Sequence, residues 1–485
     1  MDLRTYPRPQ NDNGIGIHFR LDLAETDRKP HVSDGVQWLK QINAKWALVA
    51  GQDWNQIAIA AGMIWAAGIM PVCRLICKIN GPVIDWIGGV QRLKALGLPP
   101  YIQIFNEPGD SREWREGTKP DIGLFGSKWG AAAAQVYDAG GYPGVGAVLG
   151  QDEWQAAFNS VQANNLSRIW DRAWFCVHNY GSNHPPSYPY DDANQKGTPV
   201  TAEEYARLQY SSPLDEVNAL RASSAKPGAT ILTDDTSIIR FLEFKAWMVE
   251  SLGYCLPMIG GEGGWEWGNE EDHRYSKLTA EQHASYHKQM FEWFSTGVLA
   301  NGDPLPDELF CISPWIMGDW GADDWWYGAL GTKQGTIDTV AGIAPFVRQF
   351  SWDRQASQAP VTQSGTVTGE TQTGSTSTAS SGQMSSGASS SAPTTASSSS
   401  ASSSTPAASS SAASSTMPPT STTTTGDPAS GSTGAAPVMT YVVQHGDTLS
   451  AIARRFGTTV PALVQANHLG DPSKIFTGQK LTIPR

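Results

Sequence analysis

The chain has 485 residues, with 34 basic against 46 acidic side chains and a net charge of −12. It is too long for one ordinary domain, and its 16% charged and 40% hydrophobic residues fall below what a uniform globule carries. The acid excess excludes a nucleic-acid partner, which needs clustered Lys and Arg, and no apolar run reaches the roughly 20 residues of a membrane span.

The N-terminus, MDLRTYPRPQNDNG, lacks the apolar core of an export signal. Short apolar runs then recur at 15–21, 47–51, 71–76, 101–105, 145–149, 174–179, 257–261 and 311–316, and read as strands. Helical patterns lie between them at 34–44, 54–68, 83–96, 128–139, 153–164, 238–252 and 279–296. The apolar stretch 57–70, IAIAAGMIWAAGIM, ends at Pro71 and reads as a buried helix. Strands separated by helices pair in parallel through crossovers, so eight of them predict an α/β fold, a (β/α)8 TIM barrel over 1–354. An open doubly wound sheet is the competing fold, weakened because no GxGxxG or GxxxxGK turn follows any strand. The connection 181–235 is long and rich in Tyr, Pro and Asn, which favours an ordered lid or cleft wall.

Cys73, Cys77, Cys176, Cys255 and Cys311 sit inside apolar runs, without CxxC spacing, and read as unpaired buried thiols. His283 and His287 are four apart on a predicted helix without an HExxH pattern, and read as a solvated or satisfied pair. No metal or other cofactor is expected. The nineteen tryptophans belong to the first block; they fill cores by default, and such density also suits sugar-binding clefts.

Residues 355–437 are mostly Ser, Thr, Ala, Pro and Gly, a composition that buries too little surface to offset its ordering entropy. They predict a disordered linker, with the Ser/Thr density of extracellular stalks. Order returns at 438–485, where 441–443 and 480–483 read as strands flanking two short helices. Asp447 or Thr448 would cap the first helix and Thr458 or Thr459 the second, and Leu449, Ile452, Ala453 and Phe456 recur at helical spacing. Five basic residues against two acidic ones give this module +3, leaving −15 for the rest.

The HGDTLSAIARRFG opening, the Asn467 turn and the closing IFTGQKLTIP resemble a LysM domain over the whole module. That resemblance implies a βααβ fold that binds N-acetylglucosamine units of a cell-wall polymer. Its groove would be lined by Gly446, Asp447, Thr448, Asp471, Pro472, Ser473 and Ile475.

In the large domain two carboxylates stand out. Glu107 follows a strand in YIQIFNEPGD, and Glu262 follows another in PMIGGEGGWEW. Each falls at the C-terminal end of its strand, where barrel enzymes build their sites, and each precedes helix-breaking residues. Cleavage of a glycosidic bond needs one protonated and one ionised carboxyl group across the scissile bond. The alternative for a single strand-end Glu is an ion pair or a cap.

The ordered set NEP, HNY, GGEGG and SPW resembles the clan A retaining glycoside hydrolases, cellulase-like barrels, across most of 1–350. The resemblance implies a β-linked polysaccharide substrate, Glu107 as general acid/base and Glu262 as nucleophile. It assigns Asn106 to the sugar 2-hydroxyl, Tyr180 to holding the nucleophile, His178 to shaping the site and Trp315 to stacking under the sugar. The clan often places an Arg at the end of strand two, whereas the candidate here is Arg74 in the third predicted strand, either a sugar contact or a buried partner of a carboxylate. His18 lines the mouth in this reading. Trp265 and Trp267 either stack on sugar or pack under a loop, and the cluster Trp320, Asp323, Asp324, Trp325 and Trp326 reads as cleft rim or as lid packing.

A retaining glycosidase tethered to cell wall through LysM is the leading expectation, with an extracellular or wall-associated location. The alternatives are a peptidoglycan-degrading lysin or autolysin, and a non-catalytic wall-binding protein with a degenerate barrel.

Overall fold

The computed structural model describes residues 1–20, 32–317, 324–326 and 331–358. In the C-terminal module it describes 439–443, 449–456, 458, 460–469, 475 and 479–484. In chain order the first block runs β1 (His18–Arg20), α1 (Val32–Gln41), β2 (Trp46–Gly51), α2 (Trp54–Ala66), β3 (Met70–Leu75), α3 (Trp86–Ala95), β4 (Tyr101–Asn106), α4 (Ile122–Asp138), β5 (Tyr142–Ala147), α5 (Gln151–Ala163) and β6 (Trp174–Tyr180). It continues through α6 (Asp192–Lys196), α7 (Ala202–Arg207), α8 (Leu214–Ser223), α9 (Phe241–Leu252), β7 (Met258–Gly264), α10 (Ala280–Thr296), β8 (Leu309–Cys311), α11 (Gln334–Ala341) and α12 (Ser351–Gln358).

The eight strands form one parallel sheet in the order β1 to β8. Parallel bridges Ile15–Ile312 and Phe19–Met317 close it, with His18 N donating to Pro314 O at 3.0 Å and Met317 N to His18 O at 2.8 Å. The fold is thus the expected (β/α)8 barrel, and the third predicted strand is the third observed one. β1 is shorter than expected, and Leu21 lies outside the described residues. β8 is also short: Pro314 has no N–H to donate, and beyond Cys311 the pairing continues as isolated bridges at Ile312 and Met317.

Period-two burial sorts the side chains. On β2, Ala47 and Val49 pack against the helices, whereas Trp46, Leu48 and Ala50 join the cluster inside the barrel. Met70 and Val72 of β3, Tyr101 of β4, and Trp174 and Cys176 of β6 fill the same interior, stoppered by Tyr6 and Phe350. With roughly 25 cal/mol per Å² of apolar surface removed from water, this double core is the main stabilising feature. All five cysteines are free, and all but Cys77 are fully buried, as expected.

The connection between β6 and β7 is ordered and carries three helices that composition did not announce. Two of their starts are nevertheless encoded: Asp191 accepts from Ala193 N and Asn194 N, and Thr201 from Glu204 N. A buried polar network ties the connection down. His184 contacts Asp272 at 2.9 Å, Tyr188 donates to Asp234 at 2.7 Å, and Arg274 donates to Asn194 at 2.7 Å.

The C-terminal module is β9 (Met439–Val442), α13 (Leu449–Phe456), α14 (Val460–Asn467) and β10 (Lys480–Ile483), the strands pairing antiparallel. Leu449, Ile452 and Ala453 are buried with Leu463, Leu481 and Ile483, and Phe456 packs at their edge. Asn467 donates to Leu463 O and Thr482 O, both at 2.8 Å, and accepts from Thr482 N at 2.6 Å, joining the end of α14 to β10. Of the expected linker, 355–358 belong to the end of α12, so the ordered block runs past its expected boundary; the rest lies outside the described residues. No described helix is long and apolar enough to cross a membrane.

Candidate active site

Two backbone irregularities set the site. On β6 the inward alternation of Trp174 and Cys176 continues to His178. Across the ladder Val177 pairs with Gly260 and His178 with Glu262, so Gly261 is one extra residue in β7. That bulge reverses the phase of the strand and turns Glu262 to the interior face that His178 occupies. Only glycine fits the extra position, because a Cβ there would lie 2.3 Å from Cys176 Sγ. Gly264 is also obligatory, at φ +85 and with His287 Nε2 2.5 Å from where a Cβ would stand.

On β4 alternation would send Phe105 inside. Its left-handed φ of 61 instead places the ring among helix-side aromatics, 5.8 Å from Trp86, and Asn106 turns inward. Glu107 follows at φ 25, a sparsely populated conformation for a residue with a side chain. The turn beyond is pinned: Trp114 Nε1 donates to Pro108 O at 2.8 Å and Asp110 N to Glu107 O at 2.8 Å. Pro108 and Gly109, which follow Glu107, prevent the strand from continuing.

These residues converge on a cavity of about 660 Å³ at the C-terminal end of the strands. Glu262 is buried in a cage. Arg74 Nη1 donates to its Oε1 at 2.6 Å and Tyr180 Oη to its Oε2 at 2.8 Å, while His178 Nδ1 stands 3.6 Å and His18 Nδ1 3.9 Å away. Burial alone would raise its pKa, but His178, Arg74 and His18 outweigh that and hold the carboxyl well below the usual range. Glu107 sits on the opposite side, its Oε1 2.8 Å from His178 Nδ1. Burial pulls on His178 in the downward direction, but Glu262 and the contacts to Cys176 and Glu107 raise it above the ordinary histidine value. His18 is dominated by burial and pushed down to about 3; its Nδ1 donates to Gly261 O at 2.9 Å.

The expected site residues therefore gather at one mouth. Arg74 is a buried partner of a carboxylate, Glu262, and it also borders the cavity. Tyr180 and Trp315 border the cavity partly exposed, and Trp315 lies against the His18 ring at 4.6 Å between centroids. Trp265 also borders the cavity, but its indole is only 3% exposed. It donates to His184 O at 2.8 Å and packs on Tyr286 and His287, so packing claims most of the ring. Trp267 sits beneath the Lys333 ammonium. Trp325, Trp326 and Asp324 are buried as packing; Trp320 and Asp323 lie outside the described residues. The His283–His287 pair is buried rather than solvated, between Trp265 and Trp325.

One residue escaped the sequence reading. Glu113, six positions past Glu107, ends a 3-10 turn at Ser111–Glu113 and returns its carboxylate to the cavity wall. It accepts from Asn106 Nδ2 at 2.9 Å and stands 3.9 Å from Arg74 Nη2. No repeat or motif marks it, and only the Asp110 cap of the turn hints at the reversal.

Among the described residues, Glu107, His178 and Glu262 offer ligand atoms within 4.8 Å of one another, close enough to consider a metal ion. The surroundings oppose one: the Arg74 guanidinium already occupies Glu262 Oε1, and His178 is held toward its cationic form.

Comparison with known proteins bears mainly on the C-terminal module. Residues 441–484 match the LysM domain family. The module is a LysM domain. Of its expected groove, Ile475 packs against the core cluster, while Gly446, Asp447, Thr448, Asp471, Pro472 and Ser473 lie outside the described residues. A 45-residue stretch is 51% identical to the N-acetylmuramoyl-L-alanine amidase XlyA of Bacillus subtilis, covering 9% of this chain and 15% of that protein. A 56-residue stretch is 48% identical to the amidase sle1 of Staphylococcus epidermidis, covering 12% and 16%. The chain thus spans about a sixth of the length of these relatives. Among solved structures, the endoglucanase Cel5A of Pseudomonas stutzeri aligns with 71% of this chain and 100% of its own, at 11% identity and a TM-score of 0.36. The beta-glucuronidase of Ruminococcus gnavus covers 67% and 49%, at 10% identity and 0.30. The barrel assignment rests on this chain's own strands and bridges.

Proposed function

We propose that the chain is a retaining glycoside hydrolase acting on a β-linked glycan and held at the cell wall by its LysM domain. The observation that carries the reading is the approach of Glu107 and Glu262, whose oxygens come within 4.8 Å across one cavity from the ends of β4 and β7. Retaining enzymes hold their two carboxyl groups about 5–5.5 Å apart; inverting ones need roughly 6.5–9.5 Å to admit a water.

In this reading the ionised Glu262 attacks the anomeric carbon. The bond to the leaving oxygen breaks and takes up the proton of Glu107, giving a glycosyl ester on Glu262. Glu107, now a base, deprotonates a water that displaces the ester and restores both groups. The cage of Arg74, Tyr180 and His178 suits a group that must stay anionic. Glu107 borders the same cavity and, among the described residues, has a hydrogen-bonding side-chain contact to His178 at 2.8 Å. Asn106 would bind the 2-hydroxyl and Trp315 the sugar face, with His18 completing the wall. The LysM module would raise the local concentration of the barrel at polymer containing N-acetylglucosamine, placing the protein outside the cell or on its wall.

The test is hydrolysis of aryl β-glycosides by the wild type, Glu107→Gln and Glu262→Gln, with the anomeric form of the first product read by proton NMR. Retention of configuration and loss of turnover in both variants are expected; an inverted product or an active Glu262→Gln ends the reading. A second reading takes peptidoglycan itself as substrate, favoured by the LysM domain and the stretches matching wall amidases. Release of sugar from sacculi in preference to β-glucan or β-mannan would select it.

A further inference from the structure

We infer that Glu113 is a positioning residue that fixes the amide of Asn106, so that one N–H of Asn106 is presented to the sugar; the inference rests on the hydrolase reading above. The orientation of a side-chain amide is decided by its partners. Here the chain of partners starts at the backbone. Gln103 Nε2 donates to Phe105 O at 3.2 Å, which fixes Gln103 as a donor, and the same nitrogen donates to Asn106 Oδ1 at 3.1 Å. Asn106 Nδ2 then donates one hydrogen to Glu113 Oε1 at 2.9 Å. Turning the Asn106 amide over would set oxygen against the Glu113 carboxyl and N–H against N–H of Gln103, two repulsive contacts in a buried place. The held amide keeps a second hydrogen on Nδ2, and Asn106 borders the cavity beside Glu107.

Glu113 is itself anchored. Its N donates to Asp110 O at 3.0 Å, and its carbonyl accepts from Ile79 N at 2.9 Å, tying the turn after β4 to the chain beyond β3. It also shares Arg74 with Glu262, at 3.9 Å against 2.6 Å, so a charge role through Arg74 is the rival explanation.

The experiment compares Glu113→Asp and Glu113→Gln with the wild type and Glu107→Gln. The substrates are 2,4-dinitrophenyl β-glucoside or β-mannoside, whichever is cleaved faster, and the 2-deoxy glycoside that both share. Glu113→Asp withdraws the acceptor and keeps the charge; kcat/KM should fall about 10- to 100-fold on the 2-hydroxy substrate and by under about threefold on the 2-deoxy one. Glu113→Gln keeps an acceptor oxygen and should recover most of that loss. Equal losses on both substrates, or a wild-type Glu113→Asp with an impaired Glu113→Gln, overturn the inference. Melting temperatures identify any variant that loses its fold, and the remaining variant of the pair then decides by its ratio between the two substrates. A Glu107→Gln enzyme as fast as wild type on a methyl glycoside, whose alkoxide leaving group needs a proton, would instead overturn the hydrolase reading.

Discussion

The ends of β4 and β7 carry the same side chain in contrasting surroundings. Glu262 is buried and held by Arg74 and Tyr180, with two histidines close by. Glu107 is partly exposed, on a backbone at φ 25, with His178 as its close polar contact. Environment rather than residue type separates the two glutamates: one carboxylate is caged and held ionised, and the other stands at the mouth with fewer partners, which is the contrast the proposed division of labour rests on.

The contrast breaks most sharply at β7. Glu262→Gln should lower kcat/KM by about 10⁴-fold or more, measured on an aryl glycoside. Deleting Gly261 should be as severe, because it removes the bulge and turns Glu262 toward the helices; a deletion variant with wild-type turnover would show that the bulge does not set the phase. Next comes Glu107→Gln, with an expected loss of roughly 10²–10⁴-fold on substrates whose leaving group must be protonated. On dinitrophenyl glycosides the deficit in the first step should nearly vanish, and a deficit that ignores the leaving group would erase the distinction between the two carboxylates. Tyr180→Phe removes one hydrogen bond to the caged group and should cost about tenfold in kcat, through a weaker hold on Glu262.

The smallest effect expected is on stability against pH. His18 and His287 are buried and pushed down to about 3, so they stay neutral in the fold while the unfolded chain protonates them below about 6.5. Stability should fall as pH drops below that value, by on the order of 1–2 kcal/mol per histidine at pH 5. His178 has the opposite sign: its contribution is complete below 6.5 and lost as pH rises through its raised folded value. Melting curves from pH 4 to 7 should show the acid slope, and His287→Asn should flatten it.

The strands were legible because their apolar runs are bounded by turn residues, and the two glutamates because NEP and GGEGG punctuate strand ends. The phase of the side chains was not legible: alternation alone would have pointed Phe105 inward and left Glu262 facing the helices. Glu113 was hidden for another reason, since it reaches the cavity through a 3-10 turn that no periodicity marks. Three of the four helices between β6 and β7, α6 to α8, were masked by Pro and Tyr, although Asp191 and Thr201 stood ready as caps for two of them.

The glycines beside Glu262 also constrain how this pit can change over time. With Cys176 and His287 pressed against Gly261 and Gly264, β7 has no room for new side chains. A descendant or a designer reshaping the cavity must rewrite the loops beyond β3, β4 and β6, leaving the floor under Glu262 bare.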